Sequence, residues 1–169
     1  MAIPQKKENS SKYPIAALLK RMLQSFRERS DEELRPYGAT AAQLPILFTL
    51  EREPGISGAK LARLCTITPQ STQVLLHTIE ANGWIVRQKH PDNERMLLAR
   101  LTPAGKRVVT KSHAIVRDIY AAMLEGLSPL EVSQLEGLLA RCAANLATSS
   151  GTSAPAQMRR SGHERRATT

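Results

Sequence analysis

Cysteines, aromatic residues and long apolar runs are scarce in this chain of 169 residues. Its two cysteines, Cys65 and Cys142, are too few for a disulfide scaffold and favour a reducing compartment, so we expect a cytoplasmic protein. No apolar run approaches the roughly 20 residues that a membrane-spanning helix needs, and no membrane partner is expected. Aromatic residues make up 4% of the chain, too few for a platform on which single-stranded bases stack.

Catalytic and metal-binding patterns are also missing. The four histidines fall in different predicted elements and show no metal-ligand spacing: His77, His90, His113 and His163. Neither a glycine-rich phosphate loop nor a serine nucleophile motif is present. We therefore expect no enzyme and no metal or other cofactor.

Positive charge is what the chain has in excess. The formal net charge is +9 and the isoelectric point is near 10.1, which indicates a polyanionic partner and nucleic acid above all. The excess is uneven, because residues 57–107 hold eight basic against three acidic residues and residues 148–169 hold four against one. The central segment is therefore the candidate for binding.

Apolar spacing and capping residues predict the order of elements. A first helix spans about 13–34 and stops before Pro36. A second, about 40–52, begins with Thr40, Gln43 and Pro45. Ser57 caps a short helix to Leu64, and Thr68 caps another to about Asn82. Two strands (84–89 and 96–101), a long helix (about 103–125) and a last helix from Ser128 complete the order.

This order describes a mainly α fold, a winged helix-turn-helix with a two-stranded β-wing and a helical region outside it. The predicted divisions are a disordered N-terminus (1–12), a DNA-binding region (38–102), a helical region (13–37 and 103–147) and a disordered basic tail (148–169). A winged helix-turn-helix places its second module helix, here called the recognition helix, in the major groove of double-stranded DNA.

The recognition helix offers polar side chains for base reading. Val74, Leu75, Thr78 and Ile79 are predicted as its buried face, and Leu61, Ala62 and Leu64 as that of the preceding helix. The DNA-facing set is Thr68, Gln70, Ser71, Thr72, Gln73 and His77. Glutamine can pair with adenine through two hydrogen bonds, and serine and threonine are adaptable partners. The alternative is a polar helix face that meets only water.

The predicted wing carries Arg95 at its tip, where a guanidinium can enter a narrow minor groove. Asp92 and Glu94 are predicted to support that guanidinium. Phosphate contacts are predicted for the basic residues around the module, each of which is otherwise a solvated charge: Lys60, Arg63, Arg87, Lys89, Arg100, Lys106 and Arg107.

From about Tyr13 to Leu146 the chain resembles the MarR family of transcriptional regulators. The resemblance rests on the ordered motifs LARL (61–64), EANGWIVR (80–87), PDNER (91–95) and LTPAGK (101–106). It implies a homodimer, formed by the first helix and the last two, that binds a palindromic operator as a repressor. It also implies release of the DNA by a small ligand, often an aromatic acid, or by an oxidant.

One departure from the family pattern narrows the prediction. Members often carry arginine in the middle of the recognition helix, where this chain has Val74 and Thr78. No lysine or arginine occurs between Arg63 and Arg87. We therefore expect base reading by Gln70, Gln73 and Thr72, and reading of groove shape by Arg95.

The resemblance places a ligand cleft where the helical region meets the DNA-binding region. Tyr37, Phe48, His113 and Tyr120 could line that cleft, with ordinary packing as the alternative for each. Thiol-based redox sensing through Cys65 or Cys142 is a second possibility for the regulatory input. A winged helix that binds another protein, without sequence-specific DNA binding, is the remaining alternative function.

Overall fold

The computed structural model describes residues 12–149, which form six α-helices and three β-strands. In chain order they are α1 (Pro14–Leu34), α2 (Leu44–Arg52), β1 (Ile56–Ser57), α3 (Gly58–Cys65), α4 (Pro69–Ala81), β2 (Ile85–His90), β3 (Asn93–Leu101), α5 (Pro103–Met123) and α6 (Pro129–Ser149). The fold class is as predicted. The two ends predicted as disordered fall almost entirely on residues 1–11 and 150–169, which lie outside the described residues.

The chain divides into two compact units, Met1–Met123 and Leu124–Thr169. In the first unit α5 packs against α1 and α2, while α3 packs against α2 and α4. Burying apolar side chains from all these elements is the main source of stability. The largest fully buried apolar side chains are Leu34, Ile46, Leu47, Leu50, Leu61, Leu76, Ile79, Ile85 and Val109.

The beginning of α2 differs from the prediction. Residues 41–43 form a turn, and the helix begins at Leu44 with Pro45 in its first turn. The predicted partnership of Thr40 and Gln43 exists, because the Thr40 N–H donates to Gln43 Oε1 over 3.0 Å. It stabilises the turn that precedes α2 and leaves the helix shorter than predicted.

The sheet has three strands where two were predicted. All pairs are antiparallel in the order β1-β3-β2, so the long strand β3 is central. Ile56 pairs with Ala99, and the Gly55 N–H donates to the Ala99 carbonyl over 2.9 Å. The short strand β1 thus ties the segment before α3 to the wing.

Thr102 joins the base of the β2–β3 hairpin to the start of α5. Its N–H donates to the Trp84 carbonyl over 2.9 Å, and its hydroxyl donates to the Gly83 carbonyl over 2.7 Å. The same hydroxyl accepts from the Gly105 N–H over 3.0 Å, as a helix cap does. A Cβ atom on Gly105 would lie 2.0 Å from the Trp84 carbonyl oxygen, so only glycine fits here.

In the second unit, the turn that follows α5 leads into the helix α6. Ser128 and Glu131 begin α6 as a reciprocal cap: the Ser128 N–H donates to Glu131 Oε2 over 2.8 Å, and the Glu131 N–H donates to Ser128 Oγ over 3.3 Å. The Ser128 N–H lowers the pKa of Glu131. Several leucines of α6 are exposed: Leu130, Leu135, Leu138 and Leu146.

Candidate nucleic-acid interface

Capping side chains set the beginnings of both helices of the helix-turn-helix. Ser57 Oγ accepts from the Lys60 N–H at the start of α3, and Thr68 Oγ1 accepts from the Ser71 N–H at the start of α4. Between them Thr66 adopts a left-handed conformation, with φ of 55°. Residues 66–68 form the turn between the two helices, and α4 follows α3 as a helix-turn-helix requires.

The buried face of α4 consists of Thr72, Leu76 and Ile79. Thr72 is 0% exposed, and its hydroxyl donates to the Thr68 carbonyl over 2.9 Å. The prediction that Thr72 reads bases is therefore wrong. A threonine can be buried on a helix because its hydroxyl finds a partner one turn back.

Two residues predicted on that buried face point to solvent instead. Val74 is 67% exposed and Thr78 is also exposed. Gln70, Val74 and His77 lie three or four residues apart and so share the outer face of α4. Leu64 on α3 was likewise predicted as buried, but it is 48% exposed. Of the polar residues predicted to face DNA, the exposed ones are Thr68, Gln70, Ser71, Gln73 and His77.

Gln73 lies at the edge of that outer face, beside α3. Its Nε2 is 2.8 Å from the position that a Cβ on Gly58 would occupy, so the two elements approach closely there. Gln73 also lines a cavity of about 310 Å³ together with Arg87 and Arg95. This cavity separates the recognition helix from the wing.

Arg95 lies on β3, two residues after the start of the strand, and is exposed. Its N–H donates to Asn93 Oδ1 over 3.1 Å, and the Asp92 N–H donates to His90 Nδ1 over 3.1 Å. Within residues 12–149, no ion pair joins Asp92 to the Arg95 guanidinium. Asp92 is thus not its support, and the side chain of Glu94 lies outside the described residues.

An ion pair that the sequence analysis missed connects the recognition helix to the wing. Arg87 on β2 donates from Nε to Glu80 Oε2 over 2.8 Å, and its Nη2 contacts the same oxygen. Their side chains are 21% and 34% exposed, and Arg87 lowers the pKa of Glu80. The two residues are seven positions apart in the EANGWIVR motif, but they lie on different elements, α4 and β2, so the periodicity of neither element indicates the pair.

The other predicted phosphate contacts differ in their surroundings. Lys60 Nζ lies 2.5 Å from Glu53 Oε2, so that charge is already paired. Arg63, Lys89 and Arg107 are exposed. Arg100 and Lys106 line a second cavity of about 560 Å³, whose other lining residues are Leu50, Glu51, Pro54, Leu101 and Thr110.

The residues predicted to line a ligand cleft come together only in part. The Phe48 and His113 rings stack with centroids 4.2 Å apart, and His113 Nε2 lies 2.7 Å from Glu51 Oε2. Glu51 also lines the second cavity, so this cluster borders it. Tyr37 and Tyr120 are 44% and 43% exposed and are not among the residues that line the cavity.

Both cysteines are free thiols. Cys65 is partly buried, with Sγ 3.5 Å from Thr49 Oγ1, and Cys142 is exposed on α6. Over residues 12–149, no three His, Cys, Asp or Glu side chains are grouped so that they could hold a metal ion. In the same range, no helix has the length and apolar character needed to cross a membrane.

Comparison with known proteins agrees with this geometry. The model of the MarR family matches residues 37–96. An HTH-type transcriptional repressor of Mycobacterium tuberculosis is 30% identical over 126 residues, which cover 75% of this chain and 91% of the relative. The multiple antibiotic resistance protein MarR of Escherichia coli is 26% identical over 127 residues, covering 75% and 88% of the two chains.

A solved structure of a MarR mutant from Escherichia coli, complexed with operator DNA, is also similar. It has a TM-score of 0.72 and 25% identity, covering 79% of this chain and 99% of that one. The order of helices and strands, the winged module and these relatives agree. The chain belongs to the MarR family, as the sequence motifs indicated.

Proposed function

We propose that this protein is a transcriptional repressor that binds a palindromic DNA operator as a homodimer. The observation that carries the proposal is the outer face of α4. Gln70, Val74 and His77 are exposed there, and that face carries no acidic side chain. Side chains of this kind fit the base edges of the major groove. The Escherichia coli relative complexed with operator DNA supports the same use of the module.

Affinity comes from the borders of α4, since the helix itself has no lysine or arginine. Arg63 precedes the helix, and Lys89 and Arg95 lie on the two strands of the wing. Contacts from such cations to phosphates release counterions and make binding strongly dependent on salt. Lys60 and Arg87 contribute less to this, because each is paired with a glutamate.

Homodimerisation is supported by apolar side chains exposed on helices outside the winged module. On α1, Ile15, Leu18 and Leu23 are 68%, 54% and 55% exposed. On α6, Leu130 and Leu146 are 68% and 74% exposed. Apolar side chains in such numbers favour burial against a second copy. A two-fold dimer then requires a palindromic operator with half-sites about one helical turn apart.

The proposal is tested by selecting genomic DNA fragments on the purified protein and sequencing those retained. We expect one palindromic motif, bound at least a thousandfold more tightly than unrelated duplex at the same salt concentration. Fluorescence anisotropy at several salt concentrations should give a steep log–log slope. Equal and weak binding to every duplex contradicts the proposal and favours the alternative, a winged helix that binds another protein.

We further propose that a small anionic ligand, such as an aromatic acid, releases the operator. The support is the cavity of about 560 Å³, which is of ligand size and offers Arg100 and Lys106 beside apolar Leu50 and Leu101. A panel of aromatic acids should displace a fluorescent operator duplex, and Lys106→Ala should weaken the effect of the active compound. Displacement that is unchanged in Lys106→Ala contradicts this location.

Release by oxidation is the second candidate, and the exposed thiol of Cys142 supports it. Peroxide would then abolish operator binding by the wild-type protein but not by Cys142→Ser. Cys65→Ser is the matched control, because that thiol is partly buried. Loss of binding that is the same in all three proteins contradicts the thiol mechanism.

A further inference from the structure

Val74 is the unexplained residue of the recognition helix. It is 67% exposed and lies between Gln70, one turn before it, and Thr78, one turn after it. No other large apolar side chain of α4 is exposed. An aliphatic side chain that is exposed to water does not stabilise the free protein. Its burial against an apolar partner would lower the free energy of the complex.

The neighbours of Val74 limit what that partner can be. The Thr78 hydroxyl donates to the Val74 carbonyl over 3.1 Å, so towards a partner Thr78 offers its methyl group and a hydroxyl that can only accept. Gln70 and His77 supply polar atoms on either side of Val74. One isopropyl group in a polar surround is too small to be the core of a protein–protein interface.

The major groove offers one apolar group, the C5-methyl of thymine. On the proposed function, α4 lies in that groove with its outer face towards the bases, and Val74 is near the middle of that face. We propose that Val74 is a specificity-determining residue that contacts a thymine methyl group in each half-site. The adjacent Gln70 is then placed to hydrogen-bond an adenine, so the centre of each half-site is an A·T-rich step.

Deoxyuridine tests this directly, because it pairs as thymine does but lacks the methyl group. The probe is the duplex obtained by selection on the protein, with each thymine of the half-site replaced in turn, symmetrically in both halves. We expect one position at which the symmetric replacement weakens binding about fifteenfold, because two methyl groups are removed and each buried methyl contributes roughly fourfold. Val74→Ala should bind the thymine and deoxyuridine duplexes at that position equally.

Thr72→Val is the matched control, since Thr72 lies on the buried face of the same helix. It should keep the full preference for thymine over deoxyuridine. Val74 is exposed, so Val74→Ala should fold, and thermal melting verifies this. A deoxyuridine penalty that persists in Val74→Ala, or no penalty at any position, overturns the inference while the selected site still supports the proposed function. Failure to select any site contradicts the proposed function itself.

Discussion

Arg87 and Glu80 form an ion pair that fixes the wing to the end of the recognition helix, with Arg87 Nε 2.8 Å from Glu80 Oε2. The pair crosses the Asn82-Gly83 turn and joins the two surfaces that we propose to contact DNA. It therefore affects both the stability of the module and the angle at which the wing leaves α4.

Glu80→Gln should lower the free energy of unfolding by about 0.5–1 kcal/mol at neutral pH, because the pair is partly exposed to solvent. Urea denaturation measures this. Glu53→Gln is the matched control: its pair with Lys60 has both side chains 45% exposed and should change stability by only a few tenths of a kcal/mol. Equal effects of the two substitutions would show that the pair on α4 has no special role.

The same pair makes stability depend on pH. The pKa of Glu80 in the folded protein lies below its ordinary value of 4.5, so its contribution is fully present above that value. It is lost as the pH falls through the folded pKa, because protonation breaks the pair. Urea denaturation from pH 6 to pH 3 should therefore show a smaller acid loss for Glu80→Gln than for the wild type. Parallel curves would contradict the assignment.

Gly105→Ala should destabilise the protein by about 3 kcal/mol, because the added methyl group would clash with the carbonyl oxygen of Trp84. That oxygen belongs to the backbone and cannot move away by a side-chain rotation. Gly137→Ala on α6 is the control. A Cβ there meets nothing within 4 Å, and alanine favours the helix by up to about 1 kcal/mol. Thermal melting compares the two variants, and a mild effect at Gly105 would mean that α5 can shift away from Trp84.

Thr72→Val should leave operator preference unchanged and cost less than about 1 kcal/mol in stability. The cost is small because the Thr68 carbonyl, which loses the hydroxyl, still accepts from the Thr72 N–H over 2.9 Å. Anisotropy against single-base variants of the selected operator measures the preference. A changed preference at any position would restore Thr72 to the base-reading set.

Arg95→Ala should weaken operator binding by about 1–2 kcal/mol and most strongly on operators with A·T-rich flanks, where the minor groove is narrow. The magnitude of the salt slope should also fall by about one. Arg117→Ala, at a 74% exposed arginine of α5, is the control and should change neither quantity. If both substitutions weaken binding equally, the effect is one of net charge and not of the wing.

The sequence predicted the helix order because local signals carried it. Ser57 and Thr68 cap their helices as expected, and α1 ends before Pro36. Apolar spacing could not predict which face of α4 is buried. On this helix the polar Thr72 is buried and the apolar Val74 is exposed, the reverse of what the spacing rule assumes. Thr72 can be buried because its hydroxyl bonds the carbonyl one turn back, and the exposure of Val74 is explained only by the contact that we propose with DNA.

Tertiary contacts account for the remaining differences. The strand β1 is two residues long and exists only because β3 pairs with it, so no periodicity could predict it. The Glu80–Arg87 pair likewise requires the turn between α4 and β2 to be in place. Phe48 and His113 were named together from the sequence, but their stacking and the contact with Glu51 follow from the packing of α2 against α5.

Thr102 holds the β2–β3 hairpin at its base and not at its turn. Three hydrogen bonds of Thr102 fasten its base to Gly83 and Trp84 and to the first turn of α5, whereas the turn at Pro91 and Asp92 is exposed. Amide hydrogen exchange should therefore be slow at Thr102 and Gly105 and fast at Asp92, with a gradient along β3 between them. A displacement of the first turn of α5 would therefore be transmitted through Thr102 to the base of the wing.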